Sequence, residues 1–183
     1  MLKSDPSETT PSVYPRLFPL HFILEDDGFQ ANQKQKYDDG DQAASITDSF
    51  PPFPPCQWLS AEKLDGDGLY LLEDGGEMLV WVGRNYPQDR LKEVFGVDTV
   101  DQLDARQSML PPNLPNERNK RMNAFINSMR KARSGYLRMR ILKRNDAMET
   151  LFYNRLIEDR SVAGMSYVEF LCHVHRLIQN KFT

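Results

Sequence analysis

Gly68-Leu-Tyr-Leu-Leu-Glu73, Asp74-Gly75-Gly76 and Glu77-Met-Leu-Val-Trp-Val82 follow one another without a break. Two apolar runs flank an acidic-glycine turn, the chemistry of a β-hairpin whose turn tolerates positive φ. Neither run alternates apolar with polar. Leu69 and Leu71 must face one side of the sheet and Tyr70 and Leu72 the other, and all four are apolar or aromatic. A strand of that kind is covered on both faces, so the hairpin predicts a helix–sheet–helix arrangement.

The flanking sequence supplies the layers. Residues 87–95 are expected to form a short helix, with Pro87 early and Gly96 just beyond its end. A longer helix is expected over 116–133, where Met122, Phe125, Ile126 and Met129 make one apolar stripe. Residues 136–142 alternate as a strand with one wet face, and 148–157 predict another helix. The last helix starts near Ser166, with Glu169 completing a capping box, and carries the stripe Tyr167, Phe170, Leu171, Val174, Leu177 and Ile178. Towards the N-terminus, 1–13 looks frayed and 17–24 is a strand candidate that Pro19 can interrupt. Residues 25–49 carry charge and little to bury, which predicts a flexible insertion. Pro51-Pro52-Phe53-Pro54-Pro55 is extended. It serves as a stiff lead-in, although such a run can also be a ligand for aromatic-lined grooves.

A chain of 183 residues has room for a real core, and its formal net charge of -3 gives no overall pull towards nucleic acid. The charge is unevenly spread. Residues 25–48 hold seven acids and two lysines; residues 116–144 hold ten Lys/Arg and one acid, Glu117. Only Cys56 and Cys172 occur, which is no disulfide framework and fits a reducing compartment. The N-terminal residues form no apolar signal-peptide core. The longest apolar run, 78–82, is far short of the ~20 residues of a membrane helix. The expectation is a cytoplasmic protein.

No catalytic constellation or phosphate-binding glycine fingerprint emerges, so no enzyme is expected. Glu169, Cys172, His173 and His175 share the last helix, and Glu169 and His173 lie on one face. Two ligands do not close a zinc site, and ordinary helix residues are the simpler reading. Asp65, Asp67, Glu73 and Asp74 cluster oxygen donors around the hairpin but lack EF-hand spacing. The basic segment Arg130, Lys131, Arg133, Arg138 and Arg140 is the candidate membrane or partner surface, for anionic lipid or an acidic protein, if the helix end and the strand face converge. The alternative is a solvated face.

Two stretches carry a resemblance. Leu59-Ser-Ala-Glu-Lys-Leu64, Asp67-Gly-Leu-Tyr-Leu-Leu-Glu-Asp-Gly75 and Leu79-Val-Trp-Val-Gly83 look like the strand–turn–strand signature of gelsolin-like domains, with Trp81 and Gly83 closing the return strand. Ile157-Glu-Asp-Arg160, with Glu158, Asp159 and Arg160, then Met165-Ser-Tyr-Val-Glu-Phe-Leu171, with Ser166, Tyr167 and Phe170, resemble the C-terminal end of the Sec-twenty-four cargo-adaptor subunits of the COPII vesicle coat. Tyr14-Pro-Arg-Leu17 and Phe95-Gly96-Val97 sit where that family has similar residues.

The resemblance implies an α/β (α+β) fold: a gelsolin-like mixed sheet flanked by helices on both faces, with an additional C-terminal helical segment. The expected organisation is a flexible 1–50 with a short strand and the acidic insertion, a gelsolin-like domain over 51–145, and C-terminal helices over 146–183 packing on it. It also implies a structural role in endoplasmic reticulum to Golgi transport. The implied partners are the Sec-twenty-three subunit, the Sar-one GTPase and cargo membrane proteins, reached through the full-length protein. No cofactor is implied in this stretch, the family's structural zinc lying upstream. The competing reading is a gelsolin-like actin- and calcium-binding module. Calcium sites of gelsolin proper use a carboxylate on the long helix, where this sequence offers only Glu117 at its start.

Overall fold

The hairpin lies at the centre of a four-stranded sheet in the computed structural model, which describes residues 6–24, 55–103, 113–133, 135–142, 147–159 and 164–182. The expected insertion 25–49, most of the proline run and Arg160 lie outside the described residues. In chain order the main elements are α1 (Pro6–Val13), β1 (Arg16–Pro19), α2 (Leu20–Leu24), β2 (Leu69–Glu73), β3 (Glu77–Val82), α3 (Gln88–Phe95), α4 (Glu117–Lys131), β4 (Arg138–Ile141), α5 (Ala147–Asn154) and α6 (Tyr167–Phe182). Strand order is β1-β2-β3-β4, antiparallel for the first two pairings and parallel between β3 and β4.

The turn is built by Asp74, whose Oδ1 accepts from the backbone N–H of Gly76 at 3.0 Å and of Glu77 at 2.9 Å. Gly75 sits at φ 88°, a left-handed conformation that a side chain would disfavour. All five residues of β2 are buried, as the unbroken apolar run requires.

The two faces bury different sets. Phe18, Leu69, Leu71, Met78, Val80, Met139 and Ile141 pack under α2, α3 and α4, with the expected α4 stripe of Met122, Phe125, Ile126 and Met129 all buried. Leu17, Tyr70, Leu72, Leu79 and Trp81 pack on the opposite face against Leu59, Leu142 and the α5 side of the molecule, through Phe152 and Leu156. Removing that apolar area from water, at roughly 25 cal/mol per Å², is the main force holding both layers to the sheet.

Four expectations are corrected. Strand β1 and helix α2 belong to the core, with Leu17, Phe18, Leu20, Ile23 and Leu24 buried, so the sheet draws on residues assigned to the flexible 1–50 segment. Residues 6–13, expected to fray, form α1. The strand candidate 17–24 switches to helix after Pro19, which has no N–H to continue a ladder. Finally, α5 packs on the sheet but α6 does not join the core. Phe170, Leu171, Leu177 and Ile178 remain about half exposed, because periodicity shows that a face is apolar and not what covers it.

Candidate interaction surface

The five basic residues do not form one patch. Strand β4 alternates: Met139 and Ile141 point into the α4 layer, so Arg138 and Arg140 lie on the α5 face. Arg140 pairs with Glu77 at 2.7 Å and approaches the Met148 sulfur. The end of α4 is on the other face. There Arg133 is almost wholly buried and bonds Glu73, while Arg130 covers the Tyr136 ring at 5.0 Å and donates through Nε to the Leu137 carbonyl. Only Lys131 and Arg138 of the five are exposed. Arg133 and Arg140 are committed to Glu73 and Glu77, and Arg130 to Tyr136 and Leu137, so the segment does not present five open cations as one surface.

The acidic cluster is likewise committed to other work. Glu73 is fully buried and accepts from Arg16 Nε at 2.7 Å as well as from Arg133. Asp74 makes the turn with one oxygen and takes Arg155 Nε at 3.0 Å with the other. Asp65 accepts from the Asp67 N–H. Among the described residues no group of three or more His, Cys, Asp or Glu is placed to hold a metal ion. On α6, Glu169 and Ser166 form the expected capping box, Ser166 N–H to Glu169 Oε2 at 2.9 Å and Glu169 N–H to Ser166 Oγ at 3.3 Å. Cys172, His173 and His175 are exposed.

The signature residues divide into a scaffold and a corner. Trp81 stacks on Phe152, with centroids 6.0 Å apart and planes 8° apart, and its Nε1 donates to Glu149. The backbone N–H of Gly83 donates to the Gly68 carbonyl at 2.8 Å, and a Cβ there would collide with the Gly66 and Gly68 carbonyl oxygens. The corner joins distant segments. Tyr14 donates its hydroxyl to Glu158 and meets the Tyr167 ring edge-on at 5.3 Å. Asp159 Oδ2 accepts from the Ala61 N–H at 2.7 Å, and the Glu158 N–H donates to the Leu59 carbonyl at 3.2 Å. Burial first, and then Glu158, push the Tyr14 phenol up to about 12. Beside these contacts opens a cleft of about 680 Å³, with Trp58 on its rim at 69% exposure. Phe170, the remaining signature residue, is half exposed.

Sequence reasoning missed Trp58, which lies outside every periodic run. It also missed Asn119, which is fully buried on α4. Its Nδ2 donates to the Val94 carbonyl at 2.7 Å and its Oδ1 accepts from the Leu114 N–H at 2.9 Å, tying α3 to α4. A polar residue interrupting the α4 stripe was the one available signal.

This geometry has close counterparts. The crystal structure of the human COPII-coat protein Sec24c superposes with a TM-score of 0.71 at 33% identity, over 98% of this chain and 21% of that one. The human protein transport protein Sec24C is 34% identical over 96% of this chain. The chain is a Sec24 homologue. The relation extends to plants, with SEC24 C of Arabidopsis thaliana 32% identical over 93% of this chain. Residues 52–126 match the gelsolin repeat, the part of the Sec24-like chain that holds the hairpin, α3 and most of α4. The chain spans about 14% of the length of these curated Sec24 relatives. The mixed sheet with helices on both faces is thus the Sec24 gelsolin-like fold.

Proposed function

We propose that this chain serves as the gelsolin-like part of a COPII cargo-adaptor subunit, a non-enzymatic element of the coat that carries proteins from the endoplasmic reticulum to the Golgi. The observation that carries this reading is the shared architecture with Sec24c over nearly the whole chain. In the full-length protein the partners would be the Sec-twenty-three subunit, the Sar-one GTPase and cargo membrane proteins, at the cytoplasmic side of the endoplasmic reticulum membrane. The half-exposed apolar stripe of α6 fits a module seated against the remainder of a longer polypeptide, since the relatives are several times its length. The actin- and calcium-binding alternative is not favoured: the relatives are transport proteins, and Glu73 and Asp74 are engaged by arginines.

The test is cellular. The full-length protein containing this chain is tagged and imaged, and a secretory reporter is followed after the chain is deleted. The reading requires punctate signal at endoplasmic reticulum exit sites and slowed export of the reporter. Diffuse signal with normal export would reject it.

A further inference from the structure

We propose that the corner cleft is a docking site for a proline-rich peptide carrying a basic residue. The inference is independent of the coat assignment and rests on the cleft's own chemistry. Three aromatic rings border it: Tyr14, Tyr167 and Trp58. Trp58 is the largest of the three and 69% exposed, so its face is open to a ligand. Flat aromatic faces separated by an open cleft accept the rings of a polyproline helix, which is already extended and loses little freedom on binding.

The walls are preformed. The Tyr14 hydroxyl is held by Glu158, its ring by Tyr167, and Asp159 pins the 61–63 turn through the Ala61 N–H. The three segments that meet here are therefore tied together before any ligand arrives, which lowers the ordering cost of binding. The charge of the site selects the ligand. Among the described residues, Glu62, Glu158 and Asp159 line the cleft against one cation, Lys63. A peptide offering arginine or lysine beside its prolines satisfies both features, whereas an acidic peptide is repelled.

The experiment is fluorescence anisotropy with the whole chain and a labelled polyproline peptide ending in arginine, beside the same peptide ending in glutamate. The arginine peptide should bind, more weakly as salt rises, and the glutamate peptide should bind less well. Trp58→Ala should weaken binding roughly tenfold or more, the loss typical of an aromatic anchor, with the fold intact because the ring is exposed. Glu62→Gln should reduce the preference for arginine over glutamate. Absence of binding, equal affinity of the two peptides, or an unaffected Trp58→Ala variant would each overturn the proposal. So would a Trp58-dependent dimer in sedimentation, which would assign the cleft to a second copy of the chain.

Discussion

Replacing Glu73 by glutamine removes one negative charge from the interior and leaves the shape in place. The Glu73 side chain is fully buried and so, at 5% exposure, is that of Arg133, whereas Arg16 keeps a third of its side chain in water. Glutamine would leave the Arg133 guanidinium buried without a counter-charge, and breaking a buried pair in this way costs about 3–5 kcal/mol. The two arginines should not be equivalent. Arg133→Met leaves Glu73 with a single half-solvated partner, while Arg16→Met leaves it with the buried one, so the loss from Arg16 should be smaller, about 1.5–3 kcal/mol. Replacing both members of the buried pair, Glu73→Leu with Arg133→Met, should recover much of the loss because no charge is then stranded. Urea unfolding of the four variants, with unchanged denaturant slopes, measures each difference. A Glu73→Gln variant within about 1 kcal/mol of the parent, or an Arg16 loss exceeding that of Arg133, would overturn this ranking.

Trp81→Ala should cost about 3–5 kcal/mol in the same assay, since it empties the stack on Phe152. Asn119→Ala should cost about 1–3 kcal/mol by leaving the Val94 carbonyl and the Leu114 N–H unpaired, and amide exchange at Leu114 should quicken. Tyr14 gives a pH dependence. Its phenol titrates from the ordinary 10.0 up to about 12 in the fold, so the folded chain holds this proton more tightly than the unfolded one. That contribution to stability is complete below about pH 10 and is lost as pH rises from there towards 12. Tyr14→Phe should flatten the decline, which stability measurements across this range and ultraviolet titration of the phenol would reveal.

What was legible in the sequence was what local pattern controls. An apolar run with no polar alternation could only be a strand covered twice, and Asp74-Gly75-Gly76 could only be its turn. The α4 stripe, the Gly96 helix stop (φ 74°) and the Ser166–Glu169 capping box are also local. The basic segment misled because charge is visible in sequence and its partner is not. Arg133 meets Glu73 from 60 residues away, and β4 turns Arg138 and Arg140 to the opposite face. The same gap hid the membership of β1 in the core, across an insertion, and the Tyr14–Glu158 contact, 144 residues apart. The α6 stripe was read correctly as apolar, but its burial partner is not among the described residues.

Complex formation by the full-length protein decides whether this fold works as part of a COPII adaptor. The protein is mixed with its Sec-twenty-three counterpart, sized by chromatography, and added to liposomes with Sar-one. A stable one-to-one complex is expected, sedimenting with liposomes only when Sar-one carries GTP. Separate elution of the two proteins, with no GTP-dependent recruitment, would contradict it.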